Sequence, residues 1–139
     1  MCEHATFRNV SQVTSTPASP LVEQWRDLAR HYAQISCRLD KALHERHGLG
    51  MSEFEILDRL AESGKDCVRM QELGDAVHLS QSALSRAVAR LDKEGLVSRE
   101  MCDMDRRGVF VRLTDTGLQR WQDASPTHRE VVEASLTVS

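Results

Sequence analysis

The run Asp103-Met104-Asp105-Arg106-Arg107-Gly108-Val109-Phe110-Val111-Arg112-Leu113-Thr114 constrains this chain more than any other segment, because a charged tip leads directly into a regular alternation. Val109, Val111 and Leu113 fall on one side of an extended backbone, and Phe110 and Arg112 on the other. This is the period-two pattern of a strand with one buried face. Upstream, Leu96-Val97 starts a second extended segment just after Gly95, so the charged tip joins two strands. Before Gly95 the period changes. Met70, Leu73, Ala76 and Val77 mark a short helix, His78-Leu79 a turn, and Leu84, Ala87, Val88 and Leu91 the inner face of a helix from about Gln81 to Glu94. Ser80 is placed to cap that helix and Gly95 to close it. Its outer face is polar, with Gln81, Ser82, Ser85, Arg86, Arg90 and Lys93.

Helix, turn, helix, strand, basic tip and strand, in that order, make a winged helix-turn-helix, a module that reads duplex DNA. The expected fold class is mainly α with a small β-wing, flanked by N- and C-terminal dimerisation helices. Residues 1–20 contain Pro17 and Pro20, are rich in Ser, Thr and Val, and lack helical periodicity, so they read as a flexible arm. Residues 21–139 read as one domain, with a dimerisation helix over 21–48, the winged helix-turn-helix over 52–113 and C-terminal helices over 114–139. In the first of these, Leu21, Trp25, Leu28, Tyr32, Ile35, Leu39 and Ala42 recur in steps of four and three, the spacing of a helical seam. Val22, Ala29, Ala33 and Leu43 widen that stripe. Ser52 and Glu55 fit a capping box for the next helix, whose apolar positions are Phe54, Ile56, Leu57, Leu60 and Ala61 and whose end is Gly64. Cys67 and Val68 read as loop. Thr114 begins a helix through Leu118 and Trp121, and Ser125-Pro126 begins another, since proline is favoured at a first helical position.

Composition narrows the function classes. The net charge of −3 argues against a nonspecific basic DNA coat. Residues 80–112, however, carry seven basic against five acidic side chains where a duplex would dock. No apolar run approaches the roughly 18 residues of a membrane span and no secretory leader is visible, so a cytosolic protein is expected. The four cysteines, Cys2, Cys37, Cys67 and Cys102, form no C-x-x-C pair and read as reduced thiols. There is no phosphate loop, nucleophile elbow or H-E-x-x-H. No enzyme activity, cofactor or metal is expected.

The chain resembles the MarR family of bacterial winged-helix transcriptional regulators from about Leu21 to the C-terminus. Asp105-Arg106-Arg107, running into Val109-Phe110-Val111-Arg112-Leu113-Thr114 and Gly117, is similar to the family's D-x-R wing and following L-T-x-x-G. Leu73-Gly74-Asp75-Ala76-Val77 and Leu91-Asp92-Lys93-Glu94-Gly95-Leu96-Val97 resemble two further family segments. The resemblance implies a homodimer on a pseudo-palindromic operator, most often as a repressor. The expected DNA-binding set is Ser80, Gln81, Ser82, Ser85, Arg86, Arg90, Asp105, Arg106 and Arg107. In it Arg107 enters the minor groove and Asp105 orients it or a basic neighbour. The family usually continues with further C-terminal helix beyond the place of Ser139, which implies a dimer leaning harder on the first helix.

The resemblance also implies a pocket for a small anionic or aromatic effector, with Trp25, Arg26, His31, His44, Glu55 and Trp121 as its lining. Urate is disfavoured, because Glu55 and Ala87 stand where the urate-responsive branch has its acidic and inward arginine positions. A thiol-based redox repressor using Cys37, Cys67 or Cys102 is the alternative, although Cys37 does not occupy the early first-helix place of the family's peroxide sensors. A zinc site of Cys37, His44, His47 and Glu45 has no tight ligand pair with a matching second half. A winged helix used only for protein binding is the competing nonenzymatic class, against which the polar helix face and Arg107 argue.

Overall fold

The computed structural model describes residues 19–101 and 108–137. The arm expected over residues 1–20 lies outside the described residues except for Ser19 and Pro20. So do Cys2, Cys102 and the wing tip with Asp105, Arg106 and Arg107. In chain order the elements are α1 (Pro20–His47), α2 (Met51–Ser63), β1 (Val68–Arg69), α3 (Met70–Val77), α4 (Gln81–Lys93), β2 (Val97–Met101), β3 (Val109–Leu113) and α5 (Asp115–Leu136). This is the mainly helical architecture with a small sheet that the sequence leads one to expect.

The chain divides after Gln34 into two compact units. In the first, α1 starts at Ser19, whose hydroxyl accepts from the Val22 amide (3.2 Å) and whose carbonyl accepts from Glu23 (3.0 Å). Proline at the first helical position loses no bond there. Leu21, Trp25, Leu28 and Tyr32 are 76, 64, 63 and 66% exposed. The heptad-like stripe is therefore bare over this half of the helix.

In the second unit the same stripe goes into the core. Leu39 and Leu43 are buried with Leu49, Phe54, Ile56, Leu57 and Leu60 of the α1–α2 region, Leu84, Val88 and Leu91 of α4, and Val97 and Val111 of the sheet. Each such side chain contributes about 1.5–3 kcal/mol over its exposed state. The sheet is antiparallel in the order β1-β3-β2, with Val68 opposite Val111 and Val97 opposite Leu113.

Four local expectations are corrected. Val68 is not loop: it forms β1 with Arg69, because pairing to β3 satisfies its backbone and its side chain is 5% exposed. Val109 does not share the buried face of β3, being 42% exposed beside Met101, its partner at the outer end of the hairpin. The cap of α2 sits two residues earlier than Ser52. Gly50 is the N-cap, and the Glu53 carboxylate accepts from the Gly50 amide at 2.8 Å. Finally, Pro126 starts no new helix; it lies inside α5. Proline there removes the amide that would bond the Gln122 carbonyl. One residue earlier, the Ser125 hydroxyl donates to the Trp121 carbonyl at 2.7 Å.

Candidate nucleic-acid interface

The segment α3-turn-α4 is built by backbone detail at its joints. His78 closes α3 in the left-handed region (φ 58°), and its amide donates to the Gly74 carbonyl. Two residues later, the Ser80 hydroxyl accepts from the Ala83 amide at 3.2 Å, capping α4 as expected. Gly74 makes the tight packing possible: a side-chain carbon there would stand 3.0 Å from Leu84. Gly95 (φ 76°) turns the chain from α4 into β2.

Packing then decides which face of α4 is available. Leu84, Ala87, Val88 and Leu91 are buried, whereas Ser80, Gln81, Ser82, Ser85, Arg86 and Arg90 are all exposed. The structure thus brings six of the nine expected DNA contacts onto one surface of α4 and its cap. Asp105, Arg106 and Arg107 lie outside the described residues. Arg86 forms no ion pair among the described residues. Arg90 is held at 2.5 Å by the carboxylate of Glu53, which is only 4% exposed.

The wing stem carries its own charge pattern. Arg112 donates from Nε to Glu100 across the β2–β3 hairpin at 3.0 Å, and this bond and charge raise the guanidinium above its ordinary pKa. Arg99 donates to Asp92 (3.1 Å), tying the stem to the end of α4. Arg69 lies over the Phe110 ring at 5.3 Å. At the far end of the stem, the Thr114 amide donates to the Leu96 carbonyl (3.1 Å). The Thr114 hydroxyl donates to the Gly95 carbonyl (2.7 Å) and accepts from the Gly117 amide (3.0 Å). One threonine therefore caps α5 and fastens it to the hairpin.

The six expected effector residues are not gathered into one lining. Trp25, Arg26, His31 and His44 are exposed on α1, and Glu55 is half-buried on α2. Of the six, Trp121 alone borders a cavity of about 450 Å³ between α2 and α5, together with Phe54, Asp58, Glu62, His128 and Arg129. Its indole N–H donates to Asp58 at 2.8 Å, and His128 stacks on Phe54 with ring centroids 4.5 Å apart. Sequence reasoning missed Asp58 and His128. A half-buried tryptophan N–H seeks an acceptor, but nothing local says that the residue 63 positions away supplies it. His47, from the zinc alternative, shares a 2.7 Å hydrogen bond with Thr127. Among the described residues, no group of three or more His, Cys, Asp or Glu side chains could hold a metal ion. Cys37 is exposed and Cys67 half-buried, both as free thiols.

Comparison with known proteins converges on the same module. Residues 47–108 match the family model of the MarR family. The chain is 29% identical over 111 residues to the HTH-type transcriptional regulator MhqR of Bacillus subtilis, covering 80% of this chain and 74% of that protein. It superposes on Sco3205, a MarR family transcriptional regulator from Streptomyces coelicolor solved in complex with DNA. There the TM-score is 0.80 at 33% identity, over 87% of this chain and 79% of that one. AbsC, also a MarR family regulator from Streptomyces coelicolor, gives a TM-score of 0.77 at 35% identity, over 88% and 83%. With its capped α4, polar outer face and antiparallel wing stem, this chain belongs to the MarR family of DNA-binding, nonenzymatic transcriptional regulators.

Proposed function

We propose that the protein is a homodimeric repressor that binds a pseudo-palindromic operator and is released from it by a small anionic or aromatic molecule. The observation that carries the operator reading is the division of α4. Its apolar face is consumed by the core, leaving Gln81, Ser82, Ser85 and Arg86 exposed at its N-terminal end. Side chains of these types, on the leading turns of a helix, hydrogen-bond base edges in a major groove, and arginine also reaches phosphate or guanine. Arg107, by its place in the wing, would reach the adjacent minor groove, with Asp105 and Arg106 beside it. The bare stripe of Leu21, Trp25, Leu28 and Tyr32 supports dimerisation through α1. Apolar area on that scale gains by leaving water.

For release, the α2–α5 cavity offers aromatic walls in Trp121 and Phe54, with Arg129 as a cationic partner for a carboxylate and His128 as a further hydrogen-bonding group. An effector bound there must weaken operator binding by the same factor by which operator weakens the effector. Titrating carboxylate metabolites while following tryptophan fluorescence and operator release together tests this. Parallel changes support it. Release by peroxide alone, abolished when the four cysteines are changed to serine, would favour the thiol mechanism instead.

A further inference from the structure

Glu53 is the only buried ionisable side chain among the described residues. It is bound at both oxygens. Oε1 accepts from the Gly50 amide at 2.8 Å, and Oε2 accepts from Arg90 Nη1 at 2.5 Å. The same turn of α2 is fastened to α1, where Asp40 Oδ1 accepts from the Met51 amide at 2.9 Å. A continuous set of charge-assisted bonds therefore runs from α1, through the N-terminus of α2, to the last turn of α4.

We propose that Arg90 is a positioning residue rather than a DNA contact: through Glu53 it fixes the rotation of α4, and so the aim of Gln81, Ser82, Ser85 and Arg86. A phosphate drawing Arg90 away would leave a desolvated carboxylate with one partner, a costly exchange. Arg86, one helical turn earlier on the same surface, carries no such obligation. Two arginines that look equivalent in sequence thus have different tasks. This assignment rests on α4 being the DNA-reading helix.

The test uses the full chain and a duplex that the wild-type protein selects from a randomised pool. Salt titrations separate the two arginines, because each lost phosphate contact reduces the slope of log affinity against log salt by about 0.9. Arg86→Gln should reduce the slope by about that amount. Arg90→Gln and Glu53→Gln should each weaken binding about tenfold with the slope unchanged, and the double variant should be no weaker than either alone. Reselection with Arg90→Gln should return a broader set of sequences. A slope reduced by Arg90→Gln as much as by Arg86→Gln, wild-type affinity in either single variant, or additive losses in the double would overturn the positioning role. Should Glu53→Gln fail to fold, the Arg90→Gln slope decides alone. If the wild-type chain enriches no duplex, the operator reading itself falls, an outcome distinct from any change of slope.

Discussion

At Gly117 the wing and the last helix come so close that a side-chain carbon would stand 1.9 Å from the Leu96 carbonyl oxygen and 2.9 Å from Leu113. Backbone cannot yield there as a flexible side-chain tip would, because the same carbonyl accepts from Thr114. Gly117→Ala should therefore cost about 1–3 kcal/mol or more of stability, read as a lowered midpoint in urea unfolding; an unchanged midpoint would contradict the packing. Removing the shared hydroxyl by Thr114→Val should cost about 1 kcal/mol through the lost cap, and the same unfolding assay measures it. At the wing, Arg107→Ala should weaken operator binding by roughly 1–3 kcal/mol without altering the unfolding midpoint. Unaltered affinity at physiological salt would remove Arg107 from the interface.

Among the elements, α5 holds the clearest departure from ordinary helix chemistry. Pro126 is exposed in the middle of a 22-residue helix. Replacing it with alanine restores an amide for the Gln122 carbonyl, and an interior helical proline is about 3 kcal/mol less favourable than alanine. Pro126→Ala should thus raise the unfolding midpoint, and a lowered one would show that the proline ring packs usefully at the α2–α5 cavity. The close of α2 and the turn from α3 into α4, with the cap and close of α4, were legible from sequence, because Gly64, His78-Leu79, Ser80 and Gly95 act through local backbone geometry. What escaped was set by distant partners. β1 is two residues long and exists through its pairing with β3. Ser52 with Glu55 fitted a capping box, but the bonds that Asp40 and Glu53 accept put the cap at Gly50. The sequence likewise placed Arg90 on the right face of α4 but could not reveal Glu53, 37 positions away, as its partner.

For the whole molecule, the exposed half of α1 is the feature that a lone chain explains least well. The proposed second copy would cover a helix that bears Leu21, Trp25, Leu28 and Tyr32 exposed. Leu28→Glu should then shift the protein from dimer to monomer at micromolar concentration in analytical ultracentrifugation, since it would bury an unpaired charge. Leu39, six per cent exposed within the second unit, belongs to the core, so Leu39→Glu should lower stability whatever the oligomeric state. In the proposed dimer, two copies present two α4 helices to one duplex. Selection of bound sequences from a randomised pool, followed by footprinting, tests this most directly. A pseudo-palindrome whose half-sites lie about 10 bp apart centre to centre, one helical turn, is the expected result; a lone half-site, or no enrichment, would contradict the dimeric arrangement.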